Sequence, residues 1–221
     1  MTDRPILFSG QMVRALLEGR KTQTRRVIKS RGFPPQFCGG RYDDKNDPEC
    51  WGWEDFDRGE WITLDQWRRW TFVPYAPGDR LWVREAWASI DACTHNDPGS
   101  QALVDRGFYR ADHPVDCGDV SRWRPSIHMP RWASRLTLIV TDVRVQRVQQ
   151  ISCDDAVAEG VEVNPAGVVL IDGVAHSGKA AFRKLWDSLN GPRGFGWDAN
   201  PWVAAYTFTV HHRNIDAAAA A

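Results

Sequence analysis

Strand-like patterns outnumber helical patterns along this chain, and this imbalance limits the folds that it can adopt. Short apolar or alternating β patterns lie at 5–8, 27–28, 80–87, 135–148, 168–171 and 203–210. Helical patterns are confined to three short segments that begin near Ser9, Ser152 and Lys179. Because helices of crossover length do not alternate regularly with the strands, a doubly wound parallel sheet is not expected. The sequence predicts a mixed α+β fold around a small β-barrel with flanking helices.

A single domain is expected over residues 1–216. The chain of 221 residues is long enough for one well-packed core with insertions. Two stretches, at about 31–70 and 90–120, lack a clear period, and we predict irregular insertions there. The alanines at 217–221 resemble a tag remnant and are not counted as part of the fold.

The sequence carries no feature of export or of membrane insertion. Its longest apolar stretches are far shorter than a membrane span, and its N-terminus lacks a basic region followed by an apolar run. The five Cys residues are odd in number and form no CxxC pair, so a disulfide framework is not expected. We expect a soluble cytoplasmic protein with no membrane partner.

The formal net charge of zero conceals four segregated blocks of charge. Residues 1–31 carry 8 basic and 2 acidic side chains, and residues 121–147 carry 6 basic and 1 acidic. Residues 41–66 carry 9 acidic and 3 basic side chains, whereas residues 152–172 carry 5 acidic side chains and no basic ones. The blocks either pair with one another in the fold or leave a basic face for a polyanion.

The chain uses Arg far more often than Lys, and Trp more often than Tyr. The chain has 23 Arg against 5 Lys, and 12 Trp against 4 Tyr. The flat faces of both side chains stack well, and the Arg fork matches phosphates and base edges. A GC-rich genome explains the excess of Arg equally well, so composition alone does not establish a nucleic-acid partner.

The strand pattern at 80–87 places one carboxylate on an apolar face. Side chains alternate along a strand, so Leu81, Val83, Glu85 and Trp87 share a face. A carboxylate there must be paired, hydrogen-bonded or protonated, because burying an unpaired charge is costly. Glu85 is therefore a functional carboxylate, a partner in a simple ion pair with an Arg, or the site of a bend in the sheet.

The turn predicted over residues 19–26 contains one of the rare lysines. Gly19 is placed for a left-handed helix end, and Lys21 and Thr24 follow it three residues apart. A Lys, unlike an Arg, can lose its proton when it is desolvated, and a Lys amine beside a Thr hydroxyl can activate that weak oxygen nucleophile. On spacing alone, a solvated basic turn formed by Lys21, Arg25 and Arg26 is the simpler interpretation.

Several blocks of the sequence resemble the ASCH (activating-signal-cointegrator homology) family. Residues 19–26, Gly-Arg-Lys-Thr-Gln-Thr-Arg-Arg, resemble the family's Gly-x-Lys-x-x-Thr-x-Arg signature. Residues 77–85 resemble its second block, a turn and a strand that end in an acid, and residues 200–210 resemble its closing strand. The longer blocks at 4–28 and 123–135 are similar to ASCH proteins encoded by phages and prophages.

The resemblance implies a PUA-like β-barrel whose cleft engages RNA, modified bases or nucleosides. Small bacterial members of the family are amidohydrolases that remove the acetyl group from N4-acetylcytidine with a Lys, a Thr and a Glu. These roles would fall on Lys21 as base, Thr24 as nucleophile and Glu85 as the acid that orients Lys21 or handles the leaving amine. No cofactor and no metal ion are expected. This chain is about twice the size of the small amidohydrolases. Its insertions at about 31–70 and 90–120 could reshape or cover the cleft and so change which substrate it accepts.

A basic and aromatic segment supplies candidate contacts to a nucleoside or nucleic acid. Arg side chains hold phosphates, and a Trp ring stacks on a base for about 1–3 kcal/mol. The predicted binding residues are Arg20, Arg25, Arg26, Arg84, His128, Arg131, Trp132 and Arg135. Two alternatives to catalysis on an acylated base remain, namely a non-catalytic module that reads RNA or modified DNA, and a ribonuclease.

Two further motifs give weaker indications of nucleotide binding and of a metal site. Residues 173–179 fit the pattern G-x-x-x-x-G-K, but Ala180 stands where a P-loop needs a Ser or Thr for Mg²⁺. Too little chain follows for a nucleotide-binding sheet of the usual size. Cys93, His95, His113 and Cys117 are possible ligands of a structural zinc ion, although their spacing is not the usual one.

Overall fold

The computed structural model describes residues 2–28, 35–39, 47–55, 59–63, 73–88, 108–112, 122–162, 169–171 and 174–217. Its strands are β1 (Asp3–Leu7), β2 (Gln23–Val27), β3 (Gln36–Phe37), β4 (Trp51–Asp55), β5 (Glu60–Thr63), β6 (Arg80–Arg84), β7 (Trp87–Ala88), β8 (Phe108–Tyr109), β9 (Thr137–Arg147), β10 (Val169–Ile171), β11 (Val174–His176) and β12 (Trp202–His211). Its α-helices are α1 (Gly10–Leu17), α2 (Cys153–Ala158) and α3 (Gly178–Asn190).

The predicted mixed α+β class is confirmed, with most strands in open sheets and few helices. The main sheet has the strand order β1-β6-β9-β12-β2. In it, β1 runs parallel to β6, whereas β6 with β9 and β12 with β2 are antiparallel. The strands of the described residues do not close into a barrel. Among the described helices, none has the length and apolar character needed to cross a membrane.

The chain divides into two compact units. Unit 1 comprises residues 1–22, 77–141 and 208–221, and unit 2 comprises residues 23–76 and 142–207. The long strands β9 and β12 contribute to both units, because the divisions fall after Thr141 and after Thr207.

Unit 1 opens with a strand and a helix whose ends follow the sequence signals. Ser9 is extended (φ −73°, ψ 159°) and immediately precedes α1, but its side chain does not make the capping hydrogen bond expected of it. Val13 and Leu16 on the inner face of this helix are fully buried. Gly19 has a φ of +71°, a left-handed conformation that a side chain would strain. The turn predicted over residues 19–26 is too long, because β2 already begins at Gln23.

The predicted alternation at 80–87 is confirmed, but the strand is shorter than predicted. Leu81, Val83, Glu85 and Trp87 are all buried, as expected for the inner face of a half-buried strand. However, β6 ends at Arg84 and β7 begins at Trp87. The break in the ladder falls at Glu85, so the carboxylate lies at an interruption of the sheet.

In unit 2, helices α2 and α3 cover one face of the β2–β12 pair. Each helix begins after a serine, Ser152 or Ser177, whose side chain accepts a backbone N–H and so caps the helix. Phe182 and Trp186 of α3 and Val203 of β12 belong to one buried apolar cluster. The helices predicted to begin near Ser152 and Lys179 are therefore both present, and the cap at Ser177 was not predicted.

Arg25 of β2 joins this face of the strand pair to α2 by buried ion pairs. Its side chain is 0 % exposed, and its Nη2 donates to Asp155 Oδ2 at 2.7 Å while its Nη1 donates to Glu159 Oε1 at 3.0 Å. Gln23 accepts from the same Nη1 at 3.1 Å and donates to Asp155. The basic block at 1–31 thus pairs in part with the acidic block at 152–172.

The segment 31–70, predicted as an irregular insertion, contains regular structure where it is described. Strands β3, β4 and β5 form an antiparallel sheet. The Gly, Pro and Asp content of the segment concealed the short strands β3, β4 and β5. Strand β4 also contacts Arg147 of β9, whose guanidinium lies 4.3 Å from the ring centroids of Trp51 and of Trp202. The second predicted insertion, 90–120, lies mostly outside the described residues.

The P-loop-like motif does not have the local structure of a phosphate loop. Residues 174–176 form β11, which pairs antiparallel with β10, whereas a P-loop wraps backbone N–H groups around a phosphate. Lys179 Nζ donates to the Gln149 carbonyl oxygen at 2.6 Å. The Lys179 amine therefore links the start of α3 to the helical turn at Val148–Gln150.

We expect Arg25→Met to lower the free energy of unfolding by about 3 kcal/mol, because it removes the buried cation that Asp155 and Glu159 share, while Asp155 keeps its ion pair with Arg144. Urea unfolding measures this loss. Arg183→Met is the matched control, since Arg183 is exposed and pairs with the exposed Asp198, and it should cost less than about 1 kcal/mol. Equal losses in the two variants would contradict the structural role of Arg25.

Candidate functional site

Glu85 of unit 1 is a buried carboxylate that forms a bidentate ion pair with one arginine. Its residue exposure is 1 %, and Arg135 donates to it through two parallel bonds, Nε to Oε1 at 2.9 Å and Nη2 to Oε2 at 3.1 Å. Arg135 also donates twice to Asp112, at 2.7 and 2.9 Å, and it stacks 4.0 Å from the centroid of the Tyr109 ring. A fork of this kind fixes both the position and the orientation of the carboxylate.

Burial raises the pKa of Glu85 above its usual value, although the hydrogen bonds and charge of Arg135 oppose the shift and the Asp112 carboxylate adds to it. Desolvation therefore outweighs the ion pair at this position. The backbone N–H of Glu85 donates to Met129 Sδ at 3.2 Å. A carboxyl of this kind can exchange a proton nearer to neutrality than an exposed Glu can.

Lys21 is another buried ionisable side chain of unit 1. Its residue exposure is 1 %, and its backbone N–H donates to the Ala15 carbonyl at 3.0 Å, which holds the turn after α1. Lys21 Nζ lies 5.7 Å from the centroid of the Phe8 ring. The backbone N–H of Phe8 in turn donates to the Arg84 carbonyl at 3.0 Å, directly before Glu85. Phe8 therefore borders both Lys21 and the peptide that carries Glu85.

Thr24 lies in unit 2, on β2, and is 4 % exposed. In the antiparallel pair of β2 with β12 it stands opposite Tyr206. Thr24 and Arg26 share one face of the strand, because side chains alternate. The intervening Arg25 points to the other face, where α2 lies.

A cleft of about 750 Å³ in unit 1 is lined by basic and aromatic side chains, namely Arg122, Trp123, Arg124, Pro125 and His128. In the part of unit 1 that the structure describes, neither Arg122 nor Arg124 pairs with a carboxylate. The guanidinium of Arg124 lies 5.8 Å from the Trp87 ring centroid, and that of Arg110 lies 5.3 Å from the Trp123 ring centroid. The cleft therefore combines positive charge with flat aromatic surface.

The structure divides the eight predicted binding residues into three groups. Arg25, Arg131 and Arg135 are engaged in ion pairs within the chain: Arg131 donates to Asp3 and Asp216, each at 2.6 Å. Arg20 donates to Glu18 at 2.6 Å, and Arg84 contacts the Ile127 carbonyl and stacks on Trp82.

The remaining three residues are exposed. Arg26 lies on β2 beside Thr24, and Trp132 packs edge-on against Trp87 with more than half of its surface in solvent. His128 lines the basic cleft. The possible zinc ligands Cys93, His95, His113 and Cys117 lie outside the described residues.

Comparisons with models of protein families, with curated proteins and with solved structures found no match to this chain.

Sequence reasoning missed four residues that the structure brings to the candidate sites. Arg122 and Arg124 belong to the same basic block as His128, and their position on either side of Trp123 is the signal that points to them. Asp112 and Tyr206 carry no local signal. Asp112 is found only through its bonds to Arg135, and Tyr206 only through the register of β12 on β2.

The raised pKa of Glu85 predicts a stability that falls as the pH rises. Above about pH 4.3 the unfolded chain has lost the Glu85 proton while the folded chain still holds it, so the free energy of unfolding decreases through this window. We expect the stability of the wild type relative to Glu85→Gln to fall between the unfolded and folded pKa values and then to level. Urea unfolding from pH 4.5 to 8 measures this difference.

Asp3→Asn is the control, because hydrogen bonds from Arg80 lower the pKa of Asp3 despite its partial burial, and Arg131 adds to the effect. The ionised Asp3 carboxylate stabilises the fold above about pH 3.9, and this stabilisation is lost only at lower pH. The difference in the free energy of unfolding between wild type and Asp3→Asn should therefore stay constant from pH 4.5 to 8. A constant or rising difference for Glu85→Gln would contradict the assignment.

Proposed function

We propose that this protein is an amidohydrolase that removes an acyl group from the exocyclic amine of a modified cytosine-type base. The proposal extends the ASCH resemblance, together with the PUA-like barrel that the resemblance implies. The observation that carries it is the burial of all three residues that the resemblance names, since Lys21, Thr24 and Glu85 are each at most 4 % exposed. Buried ionisable groups concentrate at functional sites.

In the proposed reaction Thr24 Oγ1 attacks the carbonyl carbon of the acyl group. A new carbon–oxygen bond forms, the carbonyl electrons move to oxygen, and the hydroxyl proton passes to the amine of Lys21. The carbon–nitrogen bond then breaks as a proton reaches the exocyclic nitrogen, which leaves the free base and an ester on Thr24. Water hydrolyses this ester and releases a carboxylic acid.

Glu85 supports this chemistry through the lone pairs that Arg135 leaves available. An ionised carboxylate has about four lone-pair sites, and the Arg135 fork uses one on each oxygen. The remaining sites are suited to orienting the Lys21 amine or to relaying a proton to the leaving nitrogen. The raised pKa of Glu85 favours the second task, because a general acid works best with a pKa near the working pH.

We expect Thr24→Ala to abolish release of cytidine from N4-acetylcytidine, since the nucleophilic oxygen is removed. Products are separated by chromatography and identified by mass. Thr22→Ala is the matched control, because Thr22 is a Thr in the same segment with an exposed side chain, and it should retain activity. Full turnover by Thr24→Ala would contradict the assignment of Thr24 as the nucleophile. If the wild type released no free base from any acylated cytidine or deoxycytidine, the proposed activity would be wrong.

A non-catalytic reader of nucleic acid is the second candidate function, and the cleft at Arg122, Trp123, Arg124 and His128 favours it. Positive side chains that track a backbone, combined with a ring on which a base can stack, are the usual elements of a single-strand binding site. Binding at this cleft is also compatible with catalysis, because a cleft of this kind suits a strand that carries a modified base.

For the reader we expect Arg122→Ala and Arg124→Ala each to weaken binding of single-stranded oligonucleotides. Each arginine that neutralises a phosphate contributes about 0.7 to the slope of log K against log salt, so each variant should reduce this slope by that amount. Fluorescence anisotropy over a salt series measures it. Arg183→Ala on α3 is the control and should leave the slope unchanged. Unaltered binding by both cleft variants would contradict this interface.

A further inference from the structure

The register of β2 against β12 places a tyrosine beside the proposed nucleophile. Tyr206 is the cross-strand partner of Thr24. Hydrogen-bonded pairs recur at every second residue of an antiparallel ladder. In this register the N–H of Ile28 donates to the Trp202 carbonyl, four residues along from Thr24 and Tyr206, and the N–H of Phe208 donates to the Thr22 carbonyl, two residues along, each at 3.0 Å. This pattern makes Thr24 and Tyr206 a hydrogen-bonded pair, with Cα atoms about 5.5 Å apart and both side chains on the same face.

The phenol of Tyr206 is buried, and its O–H has no acceptor among the described residues. Tyr206 is 0 % exposed, and no described group lies in hydrogen-bond geometry with its hydroxyl, although the Tyr75 backbone lies close enough to the oxygen to lower the pKa of the phenol. Its ring packs edge-on against Tyr75, with centroids 5.2 Å apart. Buried phenols are normally hydrogen-bonded, and an unpaired one in a folded protein calls for an explanation such as a catalytic role.

The surroundings of Tyr206 keep its hydroxyl protonated. Burial raises the pKa of the phenol, and the neighbouring Tyr75 side chain adds to the shift, while the positive charge of Arg26 and the Tyr75 backbone oppose it. Tyr206 is therefore a hydrogen-bond donor under all ordinary conditions. The opposite face of the strand pair carries Arg25 and its carboxylates, so these anions lie on the other side of the sheet from the phenol.

We infer that Tyr206 is a further catalytic residue, whose O–H donates a hydrogen bond to the acyl oxygen of the substrate as Thr24 attacks the carbonyl carbon. The inference rests on the proposed function and adds a donor to it. When the carbon–oxygen bond forms, the carbonyl electron pair moves to the oxygen, and the phenol stabilises this charge without giving up its proton. When the carbon–nitrogen bond breaks, the pair returns and the hydrogen bond relaxes. A donor fixed before the reaction acts on the transition state more than on the bound substrate.

The test compares Tyr206→Phe with the wild type on N4-acetylcytidine. Phe keeps the ring and removes only the hydroxyl, so we expect kcat to fall about 10²–10³-fold with little change in KM. The urea midpoint should stay nearly unchanged, because the hydroxyl donates no hydrogen bond to the described residues. Tyr75→Phe removes the neighbouring phenol and is the matched control, which should retain wild-type kcat.

Each alternative outcome overturns the inference in a recognisable way. A wild type that turns over while Tyr206→Phe is equally active shows that the hydroxyl is not used, and the proposed function survives. A loss of activity accompanied by a lower urea midpoint shows that the hydroxyl is structural. A wild type that is inactive on all acylated cytidines removes the proposed function and this inference together.

Discussion

Charged side chains held away from water are the constraint on which this structure depends. Arg25 and Glu85 are almost inaccessible to solvent, and an isolated charge at either position would be too costly to bury. The fold supplies their counter-charges from distant parts of the chain, Asp155 and Glu159 for Arg25 and Arg135 for Glu85. These pairs fix strand β2 against helix α2 in unit 2 and the end of β6 in unit 1.

The buried polar groups differ in how much of their bonding capacity the fold uses. Arg25 bonds to two carboxylates and an amide, which identifies it as a structural residue, although its Nε has no partner among the described residues. In the same part of the chain the Tyr206 O–H has no acceptor, and Glu85 keeps lone pairs beyond the Arg135 fork. Groups with unused capacity are the ones that a substrate can engage.

Local signals in the sequence predicted local structure well and distant pairing poorly. The alternation around Glu85 predicted its burial, and Gly19 and Ser152 predicted helix ends, because each signal depends on a few adjacent residues. The segregated charge blocks allowed for pairing within the fold but did not identify the partner of Arg25. The β3–β5 sheet was missed because its strands are short and rich in turn residues. Tyr206 became a candidate only once the register of β12 was known.

The most direct test of the central claim is to identify the atom that receives the acyl group. The wild type would be mixed with N4-acetylcytidine, quenched in acid at short times, digested and analysed by mass spectrometry. Our account predicts an acetyl group on the peptide that contains Thr24, at the threonine oxygen, and its disappearance once the substrate is consumed. An acetyl group on Lys21, or steady turnover with an unmodified Thr24 at every time point, would contradict it.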